Sequence, residues 1–289
     1  MDPAEGGFSP EKIQELRDGL PVLLLLGVAS ACLVWLLFRS RKSPLAPASQ
    51  EPREPPLWGA AEILIVLGTW FFVPFFVAIA ISGLRSRGSE HHSDFILNCV
   101  SQLVVAGVCL HLVIHRLGQP PETIGLAPAP LRHFGGTVLL RILSLMPLGL
   151  VHAIWILFLH EAGLGVEEQD VVSLMRQKFR EGDPGYIAAA VFLAVVLAPV
   201  VEEMVFRGLL FGWLRERCGT TAGAVLSSIA FAAVHASLTA VVALFLVALL
   251  LCALHVRTRS LYPCMLYHSL LNAQTLLLIA FGPDSLGGL

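Results

Sequence analysis

Three short clusters late in the chain carry the side chains most suited to chemistry: 202-EEMVFR-207, 231-FAAVH-235 and 268-HSLLN-272. Each interrupts an otherwise apolar run, and His255 closes another such run. Ionisable groups in a bilayer are costly and usually face a bundle interior or a water-filled cavity. Removal from water makes a carboxylate a stronger base, able to take a proton from water that then attacks a carbonyl carbon. Imidazole and carboxamide groups donate hydrogen bonds to the oxyanion that develops. Glu202, His235, His268 and Asn272 therefore suit peptide hydrolysis without a covalent intermediate. Two histidines and a glutamate also suit zinc with an open position for water. Spacing does not choose between the two, although the chain contains no HExxH.

These residues need helices to bring them together. A spanning helix takes about 20 mostly apolar residues. Eight runs qualify, at roughly 20–38, 61–84, 94–115, 134–160, 186–212, 220–237, 239–256 and 262–281. If the fifth and sixth run antiparallel from a turn near Gly219, Glu202 lies 17 residues before the turn and His235 lies 16 after it. At about 1.5 Å per residue the two share a depth. His268 lies eight residues beyond Ser260, and Asn272 follows at i+4 on the same face. One carboxylate, two imidazoles and one carboxamide can then converge on a buried polar site. Glu203 and Arg207, at i and i+4, form a helix ion pair compatible with that site.

Composition supports the membrane reading. Of 289 residues 56% are hydrophobic and 14% charged, where a soluble domain carries about 25% charged. The net charge of −2 gives no basic surface for nucleic acid. Six cysteines form no CxxC pair, which argues against a zinc knuckle or a disulfide framework. The first apolar run has an acidic segment before it and 39-RSRK-42 after it, so it reads as a retained helix rather than a cleaved signal. Residues 43–57 read as a Pro-rich linker, and 161–185 as a polar break holding a surface helix. An N-terminus outside puts eleven Lys and Arg inside against seven outside. The fold expected is all-α and polytopic, with about eight spans. Residues 1–115 would form N-terminal helices, and 116–289 a core containing the site.

The three clusters resemble the EExxxR, FxxxH and HxxxN signatures of the CPBP family, the CAAX proteases and bacteriocin-processing enzymes also called Abi proteins. All three match at every motif position, in order, within 186–281. The stretches 122-ETIGLAPAPLRHF-134 and 167-EEQDVVSLMRQ-177 are similar to the family's upstream parts. The resemblance implies a multi-helix intramembrane endopeptidase in the cell membrane, acting on a membrane-embedded or lipidated protein. Members that process prenylated CAAX proteins remove the last three residues. It implies Glu202 as the water activator helped by His235, with His268 and Asn272 on the oxyanion side. Glu203, Arg207 and Phe231 take supporting roles. It implies no cofactor, with zinc as the alternative. A rival of another class is an inactive scaffold or immunity protein that binds a peptide in the same cavity. A transporter with a carboxylate relay finds no inverted repeat to support it.

The remaining polar and aromatic residues read as packing. His111, His115, His133, His152 and His160 lie alone or near segment ends. Arg141, inside the fourth run, would snorkel or pair with Glu203 or another carboxylate. Trp35, Trp58, Trp70, Trp155 and Trp213 read as interface anchors. The spacings 208-GLLFG-212 and 219-GTTAG-223 read as close helix packing.

Overall fold

The apolar runs become helices with lipid-facing exteriors in the computed structural model, which describes residues 10–40, 42–45, 57–82, 90–164 and 170–281. The elements are α1 (Pro10–Arg39), α2 (Ala60–Ser82), α3 (Glu90–Leu110), α4 (Leu131–Glu161), α5 (Asp170–Glu181), α6 (Pro184–Val191), α7 (Ala198–Glu203), α8 (Phe211–Val234), α9 (Val241–Thr258) and α10 (Tyr262–Phe281). Large apolar side chains such as Leu25, Phe72, Phe76 and Leu103 point outward. Among the described residues, seven helical stretches are long and apolar enough to cross a membrane. The chain is an all-α, multi-pass integral membrane protein.

The stretch Pro184–Val234 runs for 51 residues. Straight, it would reach about 76 Å, more than twice the hydrocarbon thickness. Gly219 breaks it, with φ 82° and ψ 167°, a conformation open to glycine because it lacks Cβ. Two antiparallel legs result, as the spacing of Glu202 and His235 requires. Gly223, in the second leg, has a notional Cβ only 2.8 Å from the Arg215 backbone. The small-residue spacing therefore does pack the legs closely.

Among the described residues three segments are π-helical: His111–Arg116, Phe192–Leu197 and Met204–Leu210. The last two flank α7, which carries the glutamate pair. Such wide turns are uncommon and often sit at functional sites. Asp183 starts α6, its Oδ1 accepting from the backbone N–H of Gly185 and Tyr186 at 3.0 and 3.1 Å. α5 is a 12-residue helix, too short to span, as the surface-helix reading of this break expects.

One apolar cluster wraps the carboxylate-bearing leg. Val201, Met204, Val205, Phe206 and Leu209 pack against Trp58, Val66, Val105, Cys109 and Val113 from α2, α3 and their flanks. A second joins α1, α4, α9 and α10 through Leu37, Leu140, Leu251, Leu254 and Tyr267. Most of the 43–57 linker and residues 167–169 lie outside the described residues.

Candidate active site

Glu202 and Glu203 end α7 and are buried, with residue exposures of 9% and 0%. Glu203 holds two partners on one oxygen. Arg207 Nη1 donates to Glu203 Oε1 at 3.0 Å, and His268 Nδ1 lies 2.9 Å from the same oxygen. Both partners are buried. The guanidinium also lies 4.3 Å from the centre of the Phe231 ring, a contact that stabilises a desolvated cation. Phe231 in turn stacks at a tilt on His235, with centroids 4.7 Å apart, and meets His268 edge-on at 5.9 Å. Phe231 thus packs against the guanidinium and both imidazoles and helps fix where their rings lie.

Glu202 faces the opposite nitrogens. Its Oε2 lies 3.7 Å from His268 Nε2 and 4.0 Å from His235 Nε2. Among the described residues that oxygen accepts no hydrogen bond. The separations exceed a direct hydrogen bond but suit a small molecule bridging all three. His235 Nδ1 lies 2.8 Å from the Phe231 carbonyl. A carbonyl only accepts, so Nδ1 carries the proton and a neutral ring leaves Nε2 as an acceptor. The same reasoning applies to His268, whose Nδ1 faces a carboxylate.

Asn272 is tied to the backbone. Its Nδ2 donates to the Ala194 carbonyl at 2.8 Å. In the π turn the Ala198 N–H bonds the Leu193 carbonyl, and the following residue is Pro199, which has no N–H. Neither neighbour can serve Ala194, and the Asn272 amide takes that place. Its second N–H stays available for another acceptor. Ser227 Oγ similarly donates to the Phe206 carbonyl in the second π turn, at 3.1 Å.

The structure thus brings together Glu202, Glu203, Arg207, Phe231, His235 and His268, with Asn272 one turn beyond His268 on α10. His255 does not join them. It is buried at the end of α9, against Gly125 and the Phe211 ring. Gly125 has φ +96° and is the acceptor for the Leu261 N–H at 2.7 Å, while Ser260 Oγ donates to the Ala127 carbonyl at 2.7 Å. The 122–134 stretch so pins the start of α10 beside Gly208, whose notional Cβ lies 3.0 Å from the Ile124 carbonyl.

Two expectations need correction. Arg141 pairs with neither Glu203 nor any other described carboxylate: its guanidinium bonds Gln274 and lies over the Tyr267 ring. The face of α4 it occupies turns toward α10 and away from α7. Trp58 is no interface anchor, being buried with its indole N–H donating to the Leu209 carbonyl at 3.0 Å. Sequence reasoning also missed the Ala194 carbonyl and the direct bond between Glu203 and His268. Pro199 was the available signal for the first. The second had none, because i, i+4 pairing with Arg207 already accounted for Glu203.

No curated protein and no solved structure matches the chain. A family model does: residues 184–274 match the one described as Type II CAAX prenyl endopeptidase Rce1-like. The match covers just under a third of the chain and runs from the first residue of α6 into α10, two residues past Asn272. It spans all three motifs. By those motifs and by this match, the segment that builds the site is similar to the CAAX prenyl endopeptidases.

Proposed function

We propose that this protein is a CAAX-protease-like endopeptidase that hydrolyses a peptide bond in a membrane-associated, lipidated substrate by glutamate-activated water. The observation that carries the reading is the approach of two imidazole Nε2 atoms to the buried, otherwise unbonded Oε2 of Glu202. A water held there gives its proton to Glu202, and its oxygen attacks the scissile carbonyl carbon. His235, an acceptor at Nε2, shares in holding that water. His268 donates from Nε2 to the tetrahedral oxyanion when its ring carries both protons. The free N–H of Asn272 is the second donor. The proton taken by Glu202 passes to the leaving amine as the C–N bond breaks. The Glu203–Arg207 pair orients His268 as a buried carboxylate orients a catalytic imidazole.

Zinc on Glu202, His235 and His268 is the alternative. Oxygen and nitrogen donors fit zinc in type. Among the described residues, however, no three His, Cys, Asp or Glu side chains gather in a geometry that would hold a metal. The purified protein in lipid, given a prenylated CAAX peptide, tests both. Cleavage that survives exhaustive chelation and falls by about a hundredfold or more in Glu202→Gln is the expected result. Full activity in Glu202→Gln would sink the glutamate mechanism. Loss on chelation with recovery on adding zinc would replace it with the metal mechanism.

A further inference from the structure

Arg141 carries a charge that the proposed mechanism does not use. It lies about 15 Å along α4 from Leu131, within a spanning segment, and is 6% exposed. Its contacts are neutral: Gln274 Oε1 accepts from Nη2, and the Tyr267 ring centre lies 5.7 Å from the guanidinium carbon. Tyr267 is in turn fixed by a 2.6 Å hydrogen bond to Ser144 on α4. Arg141 Nε is buried and has no hydrogen-bond partner among the described residues. The contrast with Arg207 is sharp, since Glu203 balances that charge at 3.0 Å. A guanidinium kept in a span beside neutral groups is expensive, and such residues mark where substrates or ions pass. Its fork of donors matches a carboxylate.

The arrangement of α10 sets a length. His268 meets both glutamates, and Asn272 follows it at i+4 to bond the Ala194 carbonyl. Tyr267 and Gln274, seven residues apart and so on one face, meet Arg141 over the same stretch of helix. Arg141 and Glu202 therefore sit against two different faces of α10, a helix about 10–12 Å across. Three extended residues span about 10 Å. A peptide cut three residues before its end would carry its terminal carboxylate that far from the attacking water.

We propose that Arg141 is the receptor for the free C-terminal carboxylate of the substrate, with Gln274 holding the guanidinium in place until that carboxylate arrives. The assignment rests on the endopeptidase reading above and adds the side chain that holds the substrate's chain end.

The test uses one prenylated CAAX peptide made twice, as the free acid and as the C-terminal carboxamide. The full-length protein in lipid nanodiscs should cleave the acid with a KM about ten- to hundredfold lower than the amide, the value of a charge-assisted hydrogen bond. Arg141→Gln should erase that ratio, and Arg141→Lys should restore part of it. Equal KM values for acid and amide in the wild-type protein would overturn the assignment and leave the endopeptidase reading standing. So would an Arg141→Gln protein that raises both KM values alike, the mark of a structural role. The wild-type ratio is read without any substitution, so a variant that fails to fold does not shield the proposal. Cleavage of neither peptide would remove the endopeptidase reading and this assignment with it.

Discussion

Glu202 and Glu203 are adjacent in sequence yet sit in different electrostatic settings. Glu203 is saturated by a cation and an imidazole, while Glu202 Oε2 is left to act. The two substitutions should separate accordingly. Glu202→Gln should abolish turnover with stability changed by no more than about 1 kcal/mol, as for a site without a structural bond. Glu203→Gln should destabilise by about 3–5 kcal/mol, because it leaves the Arg207 guanidinium buried and uncompensated. Thermal unfolding in a mild detergent would compare them, and equal midpoints would contradict the division of labour. At this scale the sequence was most legible where types repeat in a known spacing, as in the three motifs. It was least legible where a residue has two roles. Glu203 pairs with Arg207 four residues on, and that local bond masked the distant one to His268. Arg141 misled for the same physical reason: a cation in a greasy helix suggests an acid nearby, and the fold gives it an amide and a phenol.

Helix positions read from hydropathy agree closely with the elements, because a bilayer admits few alternatives to a helix. The turn at Gly219 and the run 262–281 coincide with the structure. What hydropathy could not show is the winding within a helix. The π turns on both sides of α7 change which carbonyls lack partners, and Pro199 makes Ala194 the one that needs Asn272. Asn272→Ala should therefore cost about 1–3 kcal/mol of stability, the penalty for a buried unpaired carbonyl, besides any loss of turnover. Pro199→Ala supplies an N–H to the same turn. In the Asn272→Ala background it should recover part of the stability but none of the activity. A double-mutant cycle on unfolding free energy measures that coupling. Additive effects would show that the two residues do not share the Ala194 carbonyl.

The whole molecule places its cysteines in distinct environments. Cys218 is exposed beside the Gly219 turn, among charged residues at the end of a leg. Cys109, Cys252 and Cys264 are buried within the bundle, and Cys32 is exposed along the apolar α1. A membrane-impermeant maleimide applied to opened membranes should label Cys218 promptly and the three buried thiols only after unfolding. Labelling of Cys252 or Cys264 in the folded protein would mean that α9 and α10 are not packed as described. The arrangement of the helices was less legible than their number. That α2 and α3 wrap the glutamate leg follows from the fit of Trp58, Val66 and Cys109 against Val201 and Phe206. Their hydropathy resembles that of most other spans.

The bond between Glu203 and His268 joins positions 65 residues apart, whereas Glu202 and His235 belong to one hairpin around Gly219. During synthesis the hairpin is complete while α9 and α10 are still unmade. It then holds the glutamate pair and one imidazole, without the ring that Glu203 orients or the amide that closes over Ala194. On the proposed mechanism, a ribosome stalled anywhere in that interval, or a message cut short there, yields a membrane-inserted product with a carboxylate and no oxyanion donors. The same mechanism makes such a fragment inert toward its neighbours in the insertion machinery, with proteolytic competence expected only once α10 is in place.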